Sequence, residues 1–235
     1  MQKKKTMIGW YFSRGNKKLG YGDNRIIKLG RTHKVKGNPV LCKHGLHASK
    51  NILDALDCAQ GPIIWKVELS GKIIKGNDKS VATARLYLEG GIDTTIILRK
   101  FTRMCALDVI HLWEAPQIVI EYLKTGKEEL RAAAWTAVLA ASRDDWDASS
   151  AAWAASRDAS RDAWDDWDDW DAGSAAWDAA WDSAAASGDA ARGTAWDAAA
   201  ASGDAGSAAW DAAWAKQNKR LNRMVHNAIK KVKKL

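Results

Sequence analysis

The 235-residue chain lacks any run of about 18 apolar residues, the length a transmembrane helix requires, so a membrane span is not expected. Its opening, MQKKKTMIGWYF, has too short an apolar stretch after the lysines to be a secretory signal, and a cytoplasmic location follows as the expectation. Cysteine is scarce. Cys42, Cys58 and Cys105 are an odd number without a CxxC pair, which argues against a disulfide framework and against a zinc ribbon. Phenylalanine and tyrosine are scarce too, at 2 and 4 residues, yet tryptophan reaches 14. With 47% hydrophobic and 27% charged residues the chain is neither disordered nor collagen-like, and its length suits one or two domains.

The last 20 residues contain no acidic group, and this absence exposes a division that the net charge of +8 conceals. Residues 1–130 carry 23 basic and 12 acidic side chains, residues 131–215 carry 5 and 16, and residues 216–235 carry 8 and none. A basic head, an acidic middle and a basic tail can attract one another or a second copy of the chain, so the basic balance alone does not indicate nucleic acid.

The head, 1–130, reads as an α+β domain. Short β-rich runs at 7–13, 25–29, 39–42, 63–70 and 82–88 are separated by turn sequences such as Gly37-Asn38-Pro39 and Gly76-Asn77-Asp78. Residues 49–59 place Ile52, Leu53, Ala55, Leu56 and Ala59 at helical spacing behind Ser49, a suitable cap. Residues 94–113 and 116–124 continue as helices, with Pro116 suited to a first turn. The densest polar cluster is Cys42-Lys43-His44-Gly45-Leu46-His47. Zinc accepts these ligand types, but a fourth ligand at recognisable spacing is missing, so no metal is expected. Cys42, His44 and His47 remain the candidate wall of a ligand pocket. The plainer alternative is a strand end, a glycine turn and a half-buried histidine.

The middle, 131–215, has 34 Ala, 16 Asp and 11 Trp in 85 residues and almost no aliphatic side chain. Eight of those tryptophans precede an Asp, and GSAAWDAAW occurs at both Gly173 and Gly206. One large or variable residue recurs through 22 steps over 79 residues, or 3.59 residues per step, which is the α-helical period. The expectation is a long Ala/Trp/Asp-rich helical repeat. Its seam would hold Trp135, Trp146, Trp153, Trp164, Trp167, Trp170, Trp177, Trp181, Trp196, Trp210 and Trp214. Burying 11 indoles is worth at most about 50 kcal/mol at about 25 cal/mol per Å², so water is not their expected environment. An unbroken helix of about 130 Å would exceed a head of about 40 Å, which leaves folding back at the glycines or covering by other copies. The tail, 216–235, spaces Leu221, Val225, Ile229, Val232 and Leu235 at threes and fours opposite Lys and Arg, a basic amphipathic helix. It suits nucleic acid, an anionic surface or the acidic middle.

The ordered series LCKHGLHAS, DALDCAQG, VELSGKI, DKSVAT, CALDVIHLW and IEYLKTG resembles an uncharacterised family of phage and bacterial proteins whose GLHAS-type head precedes Trp/Asp/Ala repeats. That resemblance covers nearly the whole chain and implies a phage origin, and hence the host cytoplasm, but no activity. More distantly, Gly45-Leu46-His47 followed by Ala55 and Ala59 is similar to the glycine-aromatic turn of ADP-ribosyltransferase-like folds. No first-strand Arg or His motif accompanies it, and Glu68 and Glu89 are the carboxylates at hand. The expected function is therefore a non-enzymatic protein that self-assembles into oligomers or filaments through the Trp seam, with no cofactor. Two alternatives stand beside it: a nucleotide- or NAD-like ligand in the head, directed at a host protein or defence, and nucleic-acid binding through the basic tail.

Overall fold

The computed structural model describes residues 6–112, 114–141 and 202–233. Seven strands and one short helix come first: β1 (Met7–Ser13), β2 (Lys18–Gly20), β3 (Asp23–Ile26), β4 (Thr32–Lys34), β5 (Leu46–Ala48), α1 (Ile52–Asp57), β6 (Ile63–Lys75) and β7 (Ser80–Asp93). Helices follow as α2 (Thr95–Val109) with a 3-10 turn (Ile110–Leu112), α3 (Gln117–Thr125), α4 (Glu128–Ala141) and α5 (Ser202–Val232).

These elements correct the expected architecture of an α+β domain, a long helical repeat and a separate basic helix. Among the described residues the chain is a β-rich region, a few helices and one C-terminal helix, and no long helical repeat is evident. Most of 131–215 lies outside the described residues. Where its ends are described, residues 131–141 continue a helix begun at Glu128, and residues 202–215 open the helix that runs on to Val232. The physical reason is that periodicity marks a helical face and not an element boundary. Alanine-rich sequence favours helix propagation across 130/131 and 215/216 alike.

The main sheet is antiparallel, in the order β1-β6-β7-β4, with β5 pairing a second stretch of β7. β6 and β7 form a long hairpin across Gly76-Asn77-Asp78, closed by the Gly76 N–H donating to the Lys79 carbonyl at 2.8 Å. A register shift between Ile64 and Trp65 falls opposite Gly90-Gly91, whose φ values of 105° and 75° only glycine adopts without strain. On its other side β1 meets the end of β5. Trp10 N–H donates to the Ser49 carbonyl at 2.8 Å and Ser49 N–H to the Trp10 carbonyl at 3.1 Å, so the sheet turns back on its own first strand. Gly9 permits this approach, because a Cβ there would lie 2.6 Å from the Ser49 carbonyl oxygen.

Alternation on β6 buries Ile63, Trp65, Val67 and Leu69 in one cluster with Leu46, Ala48, Ala82 and Tyr87. Each large aliphatic side chain among them contributes about 1.5–3 kcal/mol of apolar burial. The Trp65 indole N–H is satisfied by Ser13 Oγ at 2.9 Å.

The chain divides into two compact units. One holds the described residues up to Thr95 with those from Asn222 on, and the other begins at Ile96 and includes α5 up to Leu221. In the second unit Ala106, Val109, Val119, Tyr122, Leu123, Ala134 and Val138 form the core. There α3 starts at Pro116 and ends where Gly126, at φ 64°, donates its N–H to the Tyr122 carbonyl. Asp108 of α2 accepts Arg220 at 2.8 Å and Lys216 at 3.2 Å from α5. In the first unit the His226 ring lies edge-on to Trp10 with centroids 6.2 Å apart, and Lys233 pairs with Glu89 at 3.0 Å. Leu221, Val225 and Ile229 of the tail's apolar stripe are buried, whereas Val232 is exposed. Among the described residues no helix is long and apolar enough to cross a membrane.

Candidate ligand cleft of the head

The residues around Gly45 are shaped by two backbone demands. Val40 N–H donates to the His44 carbonyl at 2.7 Å and His44 N–H returns to the Val40 carbonyl at 2.9 Å, which makes 39–42 a tight turn in place of the expected strand. Cys42 accordingly takes φ 60°. Gly45 at φ 124° then sets β5 against β7, where a Cβ would collide with Val81 and crowd the Ala82 carbonyl. The outcome is a cleft of about 480 Å³ lined by Cys42, His44 and His47 together, and by Trp10, Tyr11, Cys58, Gln60, Lys79 and Arg85 from β1, the segment after α1, the β6–β7 turn and β7. The β2–β3 hairpin supplies Leu19, Gly20, Tyr21 and Asp23 to another part of its wall.

Both histidines already have partners. His47 Nε2 accepts the Cys42 backbone N–H at 3.2 Å, and burial, reinforced by Arg85 and Lys79, holds its pKa below the ordinary value. His47 is therefore neutral, with its lone pair engaged. His44 Nε2 bonds the Lys36 carbonyl at 2.7 Å. The three cluster residues are brought to one cleft but are not arranged as a metal triad. Among the described residues the ligand-type atoms that do converge are those of Asp57, Cys58 and Asp78, within 4.8 Å of one another. The Lys79 ammonium serves that group, at 3.0 Å from both Cys58 Sγ and Asp78. Burial pushes the Cys58 thiol up, while the hydrogen bond to Cys58 holds Lys79 above its ordinary value.

Sequence reasoning missed a buried charge in the wall of the cleft. Arg85, 2% exposed, lies 3.6 Å from the Tyr11 ring centroid. Its Nε and Nη2 donate to the Tyr87 hydroxyl at 2.9 and 2.6 Å, and Nη1 to the His47 carbonyl at 2.5 Å. Burial pushes the Tyr87 phenol up to about 12, so it stays neutral. The available signal was a lone arginine inside the apolar run at 82–88, since a charge in such a strand is rarely buried without a task. Gln60 is buried as well, and its Oε1 has no donor among the described residues.

Of the expected seam, Trp135 is half-buried on α4 and packs against the core of its own unit. Trp210 and Trp214 stack on each other along α5 with centroids 5.2 Å apart and planes 13° apart. Trp146, Trp153, Trp164, Trp167, Trp170, Trp177, Trp181 and Trp196 lie outside the described residues. Comparison of the chain with protein-family models, with curated proteins and with solved structures gave no match.

Proposed function

We propose that the head is a binding module for a small molecule of nucleotide size, seated in the cleft built by residues 42–48. The observation that carries this reading is the cleft itself. Its volume of about 480 Å³ falls in the range of ligand pockets, and its wall mixes aromatic faces with a few fixed polar groups. Binding fits better than turnover, because the groups capable of proton transfer are already engaged: His47 by Cys42, Lys79 by Asp78, and Asp23 by Arg25. Thermal denaturation of the whole chain with NAD, ADP-ribose, ATP, GTP and AMP tests the reading. A ligand at 100 times its Kd adds about 2.7 kcal/mol, a shift of several degrees. No shift with any compound at millimolar concentration would remove the reading. Incubation with labelled NAD and host lysate is expected to leave proteins unlabelled, and transfer of label would make the head a transferase.

Self-association through tryptophan is a second reading, favoured by the half-exposed stacked pair Trp210 and Trp214. Light scattering of the purified chain tests it. An oligomer that shrinks when Trp164, Trp167 and Trp170 become Ser supports association, and a monomer at high concentration opposes it.

A further inference from the structure

The charges of the cleft do not balance. Lys79 is matched by Asp78 and hydrogen-bonded to Cys58, and Asp23 is matched by Arg25. Arg85 is different. Its hydrogen bonds go only to the Tyr87 hydroxyl and the His47 carbonyl, both neutral, and among the described residues no carboxylate lies within ion-pair distance of it. A guanidinium that is 98% withdrawn from water without a counter-ion is costly, and stacking on Tyr11 offsets only part of that cost. A second deficit sits at Gln60, whose side chain lines the same cleft and whose buried Oε1 meets no donor. Gly20 faces that amide, and any side chain at position 20 would displace it. One deficit asks for negative charge and the other for an N–H or O–H group.

We infer that the ligand of this cleft is an organic anion whose phosphate or carboxylate group neutralises Arg85 and whose own hydrogen-bond donor meets Gln60 Oε1. The inference rests on the reading of the cleft as a ligand site and adds the ligand's chemical class. The cleft is too large for a bare oxyanion, and Trp10, Tyr11 and Leu19 give the remainder of the molecule an aromatic and aliphatic wall. Arginine is suited to this task because its planar, always-charged fork keeps donors to spare after three are used within the protein.

Calorimetric titration of the whole chain with two matched pairs tests it: AMP against adenosine, and orotate against uracil. All four carry an N–H donor on the base, exocyclic in the adenine pair and in the ring in the pyrimidine pair, and only the first of each pair carries the oxyanion. The charged member of at least one pair is expected to bind about tenfold tighter or more, AMP pointing to phosphate and orotate to carboxylate. Arg85→Gln should bring the two members together, Arg85→Lys should keep part of the preference, and Gln60→Leu should weaken both members by a similar factor. Should Arg85→Gln fail to fold, displacement of the bound compound from the unaltered chain by inorganic phosphate or acetate reads the same charge dependence. Equal affinity for charged and neutral members overturns the inference and leaves the cleft reading standing. If a compound of the wider panel binds instead, unchanged affinity in Arg85→Gln overturns it equally. Binding of none of these compounds removes both.

Discussion

His33 offers the sharpest test of the head's energetics. It sits on β4 opposite Arg85, is 2% exposed, and neither ring nitrogen has a hydrogen-bond partner among the described residues. Its ring meets Tyr87 edge-on with centroids 5.5 Å apart, a contact that phenylalanine can reproduce. Each unsatisfied buried polar atom costs about 1–3 kcal/mol, and the larger phenyl ring returns about 1 kcal/mol of crowding. With two such atoms, His33→Phe is therefore expected to stabilise the head by about 1–5 kcal/mol at pH 7. In urea the midpoint would rise by about 1 M with an unchanged slope.

Acid sharpens the comparison. Burial, aided by Arg25, Arg31 and Arg85, holds the His33 pKa below its ordinary 6.5, so the unfolded chain takes up the proton first. The native protein thus loses stability through His33 as pH falls below about 6.5, the variant loses only what other groups such as His47 cost both proteins, and the gap widens by up to about 2 kcal/mol at pH 5. Urea titrations followed by tryptophan fluorescence at pH 7.5, 6 and 5 measure both effects. A destabilised variant whose gap from the native chain stays constant with pH would show that the imidazole is partnered and refute the reasoning.

Three further outcomes are expected. Gly9→Ala places a methyl against the Ser49 carbonyl and should cost about 1–3 kcal/mol in urea unfolding; a loss below about 0.5 kcal/mol would mean that β1 and the β5 end separate easily. Asp108→Asn leaves Arg220, whose side chain is 12% exposed, without its counter-ion, and a loss of about 1–3 kcal/mol should appear in the unfolding of the helical unit. Lys233→Ala breaks an ion pair whose side chains are 56% and 30% exposed, so the expected change is under about 0.5 kcal/mol and vanishes in about 1 M salt; a larger, salt-independent loss would contradict a screened contact.

Legibility in the sequence followed element length. β1 occupies residues 7–13, where alternation and the following turn place a strand, and β6 starts at the expected residue 63. Both hairpin strands then run further than their apolar cores suggest, to Lys75 and from Ser80, because pairing across a tight turn carries polar residues along. β2, β4 and β5 have three residues each, too few for any period to be read. The cluster of Cys42, His44 and His47 was legible through its density. Arg85, Gln60 and Tyr11 were not, because they meet only when β7, the α1 end and β1 are assembled. The charge blocks also misled on boundaries: residues 202–215 and the basic tail differ in sign yet share one helix.

The placement of Asn222 onward in the first unit has a consequence for synthesis. Val225 and Ile229 are core residues, and His226 touches Trp10 near the very start of the chain. A contact of high sequence separation therefore joins the first strand of the head to α5. Domains usually fold as they leave the ribosome, N-terminal part first, but this one must wait until residues 222–233 have been translated. A chain cut shortly before residue 222 would leave Trp10 and Glu89 without His226 and Lys233 and would lack the buried Val225 and Ile229, so a truncated product should be a substrate for chaperones and proteases and not a smaller working head.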